Sequence, residues 1–207
     1  MPMNKPIAHH ILWLLLVAFL LMGMARPSGG QDSGPAPGQS LPAKEHPEKI
    51  PGYKEFLKRV QAYMNMRKSI ESTLPALKTT DQPEIIAGRQ QALAKKIRES
   101  RPDAKSGDIF TENASKAFRH TVREEFRGPH GKGARTTIRQ GEPLKEIHLQ
   151  VNEPYPDGVS FTTVPPTLLL KFPKLPDHVA YRIVGHDLML LDVDANLVID
   201  RISDIIP

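Results

Sequence analysis

The 207-residue chain contains no cysteine. That excludes disulfides, thiolate metal sites, a cysteine nucleophile and a cysteine-linked lipid anchor, and leaves the fold to be held by its core alone. Aromatic residues make up only 6% of the chain. The length suffices for one domain plus appendages, not for two sizeable cores.

Catalytic spacings are missing as well. His120, His130, His148, His178 and His186 show no H-E-x-x-H or H-x₃-H arrangement of the kind that holds zinc. G-x-S-x-G is absent, and serine is sparse outside loops and the linker. Gly128–Gly133 reads GPHGKG, but the Walker spacing is not met and no strand precedes it, so it is read as a flexible turn. Glu124 and Glu125 are neighbours on a predicted helix and so point different ways, which makes a charged surface rather than an acid–base pair. No recognised nucleic-acid-binding module appears, and the basic helices lack interleaved aromatics, so no nucleic-acid partner is expected.

What the chain does have begins with a leader. Lys5 is the only formal charge in residues 1–25, Ile11–Leu21 is almost purely apolar, and Gly23-Met24-Ala25 supplies small residues at a cleavage point. This is the pattern of a secretory signal peptide. The uninterrupted apolar stretch stays short of the roughly 18–20 residues of a membrane span. The expected location is therefore periplasmic or secreted, the alternative being an inner-membrane anchor through an uncleaved leader. Residues 26–51 are rich in Pro, Gly and Ser and too poor in apolar residues to offset their ordering entropy, which predicts a disordered linker.

Residues 52–206 are predicted to form a single α+β domain, mainly helical over 52–140 and mainly strand over 144–206. The first helix runs from Tyr53 to about Leu74, with Tyr53, Phe56, Leu57, Val60, Tyr63, Met64 and Ile70 on one apolar stripe. The second runs from Asp81, as a cap, to about Ser100, with Ile86, Leu93 and Ile97 on a thin stripe. The third lies within Gly107–Gly128 and is capped by Thr111. A short helical piece over Ala134–Gln140, a half-buried strand over Leu144–Val151, a short strand over Phe161–Val164 and a short helix after Pro165-Pro166 follow. The chain closes on Val179–Ile202, three strands interrupted by Gly185-His186-Asp187 and Asp194-Ala195-Asn196, which predicts an antiparallel meander. The expected fold is three helices followed by a small antiparallel sheet. Leu188–Leu191 is apolar on both faces, so the middle strand should be covered on both sides.

Charge is unevenly distributed. Residues 26–142 carry 22 basic and 14 acidic side chains, a net of +8; residues 143–207 carry 5 and 9, a net of −4. Either the two halves face each other, or each is merely solvated, or the basic helical half meets an envelope protein or an anionic surface. A membrane contact is expected only through an uncleaved leader.

The strongest candidate for chemistry is Asp192, Asp194 and Asn196, with His186 and Asp200 nearby. D-x-D-x-N opens like a calcium loop, then departs from it: Leu197 stands where glycine is needed and Ser203 where a bidentate glutamate is needed. A strand-end turn accounts for the same residues without a metal. No cofactor is expected. His186, Asp192 and Asp194 remain candidates for a small hydrolase or metal-binding site.

Two stretches carry a resemblance. One is R-x-x-A-L-A-x-x-I-R-x-x-R-P-x-A-x-x-G-D-I-F, Arg89–Phe110; the other is V-P-P-T-L-L from Val164, then L-P, then Y-R-I-V-G-H-D-L-x-L-L-D-V-D-A-N-L-V-I-D, Tyr181–Asp200. Together they resemble a group of uncharacterised exported bacterial proteins with a helical middle and this closing hairpin. The resemblance implies export and a common fold, and brings no activity or catalytic residue. The expected function is thus a non-enzymatic periplasmic or secreted binding protein, the alternative being the hydrolase or metal-binding protein above.

Overall fold

The computed structural model describes residues 47–76, 81–140, 149–156, 158–160 and 162–206. The leader, most of the linker and most of the strand expected over 144–151 lie outside these residues.

Residues 44–207 form one unit of mixed helix and antiparallel sheet. Helix α1 spans Pro51–Glu71, α2 Pro83–Ser100, α3 Glu112–Arg127, α4 Gly131–Gln140 and α5 Pro166–Leu169; the strands are β1 Thr162–Thr163, β2 Val179–Val184, β3 Asp187–Asp192 and β4 Leu197–Ile202. Among the described residues there are five α-helices, not three, and they do not all precede the sheet, because the single turn of α5 lies between β1 and β2. Helix α4 takes in Gly131-Lys132-Gly133, half of the stretch expected to be a flexible turn. Its reason is packing: a Cβ on Gly131 would sit 2.1 Å from the Phe126 carbonyl oxygen, so only glycine lets α4 start against the end of α3. Ala134 and Ile138, one turn apart, then bury its apolar side.

Thr111 caps α3 as expected, accepting from the Ala114 N–H. At α2 the cap position falls on Gln82 rather than Asp81, and Pro83 occupies the first turn. Ile86 leaves the predicted stripe and is half exposed, while Leu93, Ala94 and Ile97 make the buried side.

The four strands run in the order β1-β2-β3-β4, each pair antiparallel. Val179, Tyr181, Ile183, Leu188, Leu190, Leu197 and Ile199 face the helices. The other face carries Val184, Met189, Leu191 and Val198 under Leu149 and Tyr155. Leu149–Val151 is not strand. Instead residues 152–155 border β4 irregularly, with Asn152 N–H donating to Val198 O (2.7 Å) and Tyr155 N–H to Asn196 O (2.8 Å), which satisfies an edge otherwise left open.

The few aromatics are concentrated. Tyr53, Phe56, Phe110, Phe118, Phe172 and Tyr181 form one cluster with ring centroids 4.7 to 6.1 Å apart, joining α1, α3 and β2. Mostly tilted or edge-on, such pairs add to the area they bury. Gly52 allows α1 to approach α3: a Cβ there would lie 2.4 Å from Asn113 O.

Candidate functional site

Helix α1 buries Tyr53, Phe56, Val60, Tyr63 and Arg67. This is a three-four spacing, and its last member is a guanidinium. Arg67 is 1% exposed. A buried cation is stable only with paired charge and filled hydrogen bonds, and both are supplied. Nε donates to Asp192 Oδ2 (2.9 Å), Nη1 to Glu71 Oε2 (2.8 Å) and Nη2 to Asp194 Oδ2 (2.6 Å). Burial works against the Arg67 charge, but Asp192 above all, then Glu71 and Asp194, outweigh it and leave its pKa raised.

Asp192 is wholly buried and fully engaged. Its Oδ2 also accepts from Tyr63 Oη (2.8 Å), and its Oδ1 accepts from Ala195 N–H (3.0 Å), which closes the β3–β4 turn. Burial, followed by the Asp192 charge, pushes the Tyr63 hydroxyl well above its ordinary range. Asn196 completes the turn in the left-handed region, at φ 49°. Asp194 is half exposed and also accepts from His178 Nδ1 at 2.5 Å.

His186 is elsewhere. It lies in the β2–β3 turn, at the opposite end of β3 from Asp192, where its Nδ1 donates to Ile206 O (2.9 Å). Its own carbonyl accepts from Ile205 and Ile206 N–H. Asp192 and Asp194 are thus brought together by Arg67, and His186 is not among them. The imidazole that does meet Asp194 is that of His178. Among the described residues no group of three His, Asp or Glu side chains is placed to hold a metal ion.

Asp200, a further acidic residue of the meander, is a second buried anchor. Strands β3 and β4 shift register between Leu190 and Leu191: Leu190 pairs with Asp200 while Leu191 pairs with Val198. Ile199 is the extra residue of a β-bulge, and the bulge turns Asp200 toward the helices. Its carboxylate accepts N–H groups from Gly107 (2.9 Å), Ile109 (2.6 Å) and Phe110 (2.7 Å). Burial pushes this carboxyl up from its ordinary value, and the N–H groups of Phe110, Gly107, Ile109 and Arg201 pull partly back.

The basic half does face the acidic half at several places. Arg98 pairs with Glu153 (2.6 Å), and Arg101 donates to Ile199 O while its guanidinium lies 5.4 Å over the Tyr63 ring. Arg119 donates to the carbonyls of Ser203 (2.6 Å) and Asp204 (2.8 Å). Two open hollows adjoin these contacts. One, about 150 Å³, is lined by Arg119, Arg123, Asp204 and Ile205; the other, about 380 Å³, by Lys95, Arg98, Glu99, Pro102, Asn152 and Glu153. Both mix charges of either sign.

No known protein family, no curated protein and no solved structure matches the chain. No helix among the described residues is long and apolar enough to cross a membrane.

Proposed function

We propose that the protein is an exported binding or interaction protein without enzymatic activity, acting in the periplasm or after secretion. One observation carries this reading. The acidic side chains with the best claim to chemistry, Asp192 and Asp194, are clasped by the buried Arg67 and hold α1 to the β3–β4 turn. An Asp192 that accepts from an arginine, a tyrosine and a main-chain N–H has little capacity left as a base or ligand. The leader supports export, and so does the resemblance to exported bacterial proteins. The alternative, a small hydrolase or metal-binding protein at His186, Asp192 and Asp194, would have its imidazole and its carboxylates at opposite ends of β3.

The test is affinity capture from the native envelope fraction with C-terminally tagged protein, identified by mass spectrometry and repeated with the captured protein as bait. One specific partner found in both directions is the expected result. Reciprocal capture that returns nothing, together with turnover of a substrate by the purified protein, would overturn it.

A further inference from the structure

We infer that the corner built by α4, β1 and α5 docks on a bilayer surface rich in anionic lipid, with Leu169 and Leu170 entering the headgroup layer. This rests on the reading of the chain as an interaction protein and names the partner of one face.

The sequence supplies two segments of one character. Residues 126–140 carry Arg127, Lys132, Arg135 and Arg139 and no acidic residue; residues 162–176 carry Lys171 and Lys174 and no acidic residue. The fold joins them. Thr162 Oγ1 donates to Ile138 O (3.3 Å), and Lys171 Nζ reaches Glu125 at the end of α3 (2.6 Å). Glu125 is buried and so is not part of the surface of this corner, and the exposed Glu124 beside it is paired with Arg127 (3.3 Å).

At the same corner stand two leucines that the fold leaves outside. Leu168 is buried, but Leu169 and Leu170 are 49% and 67% exposed. Pro165, Pro166 and Pro173 frame the turn and fix its backbone, so the pair is presented at little further conformational cost. Ile85 and Ile86 are also half exposed, but they follow Asp81 and Glu84, which would repel an anionic surface.

The residue types distinguish the partner. Leucine is under-represented among the side chains that dominate protein–protein affinity, and lysine is depleted from such interfaces. Leucine entering the acyl boundary with lysines reaching back to headgroups is how peripheral segments hold a membrane. An anionic polysaccharide offers the leucines nothing apolar.

The chain's lack of cysteine makes the test direct. Full-length Leu170→Cys and Gln91→Cys are each labelled with an environment-sensitive fluorophore, Gln91 being exposed on α2. Each is mixed with vesicles of phosphatidylcholine alone, or with phosphatidylglycerol in equal parts. The Ile11–Leu21 run is common to both, so binding through it moves both labels alike. The label at 170 is expected to brighten several-fold and shift to the blue on the anionic vesicles only, while the label at 91 stays unchanged. Adding Lys132→Glu and Lys174→Glu should weaken binding to the anionic vesicles by at least about thirtyfold. A label at 170 that stays silent, or that matches the one at 91, overturns the docking. Silence at 170 with reciprocal capture of an envelope protein overturns the docking alone; a response at 170 with empty capture supports it and removes the protein partner.

Discussion

Arg67 Nε lies 2.9 Å from Asp192 Oδ2, and the two side chains are 2% and 0% exposed, 125 residues apart in the chain. Removing one partner of such a pair strands the other, which costs about 3–5 kcal/mol. Arg67→Met and Asp192→Leu should each lose about that much in urea denaturation. The double variant should recover only part of it: the stranded charge is gone, but the Tyr63 hydroxyl and the Ala195 N–H still lose their acceptor. Asp194→Ala removes a half-exposed carboxylate and should cost about 1 kcal/mol or less.

Two glycines make a contrasting pair. Gly52→Ala forces a Cβ to within 2.4 Å of Asn113 O and 2.9 Å of Ala117 Cβ, so α1 and α3 must part. A loss of about 1–3 kcal/mol is expected. Gly88→Ala, in the interior of α2, meets nothing within 4 Å and should gain about 0.5–1 kcal/mol. Thermal midpoints of the two variants against the parent check both signs.

All four tyrosines titrate high. Burial pushes Tyr53 and Tyr155 up to about 12, and carries Tyr63 and Tyr181 further. The folded protein should therefore show no tyrosinate absorbance at pH 10, where the urea-unfolded chain is half ionised. The sign for stability follows. The folded state holds these protons more tightly, so their contribution is intact below pH 10 and is lost as pH rises through about 12.

Glu125 runs the other way. Burial opposes its charge, but Lys171 and Thr167 hydrogen bonds outweigh burial and hold its pKa below the ordinary carboxylate value. Its contribution is present above that value and fades as pH falls through the lowered one. Lys171→Met leaves a buried carboxylate unpaired, so its pKa should rise and the slope should reverse. The variant is expected to gain more stability than the parent on acidification from pH 7 to pH 5. Urea midpoints across that range decide it.

Much of the fold is legible because its periodicities are local. The meander shows in alternation and turn residues, and α1 and α3 in their apolar stripes and stop signals. What was not legible depends on distant neighbours. Helix α4 begins at a glycine whose reason is the Phe126 carbonyl, and nothing in GPHGKG says so. The bulge at Ile199 reverses the direction of Asp200, and only the main-chain N–H groups of Gly107, Ile109 and Phe110 make that useful. Arg67 did leave a signal. It continues the spacing of Tyr53, Phe56, Val60 and Tyr63, and a basic residue on an apolar stripe requires an acidic partner across the core. The Asp192–Asp194 pair was that partner, so the two belonged together before either suggested a metal.

The most direct measurement of the central claim is reciprocal capture from the envelope fraction with the parent and with Arg67→Met/Asp192→Leu side by side, each first shown to be folded by urea denaturation. If the Asp192–Asp194 cluster only holds α1 to the sheet, both proteins capture the same partner in equal amount. Loss of the partner by a stable double variant would place function in the cluster itself and contradict the account.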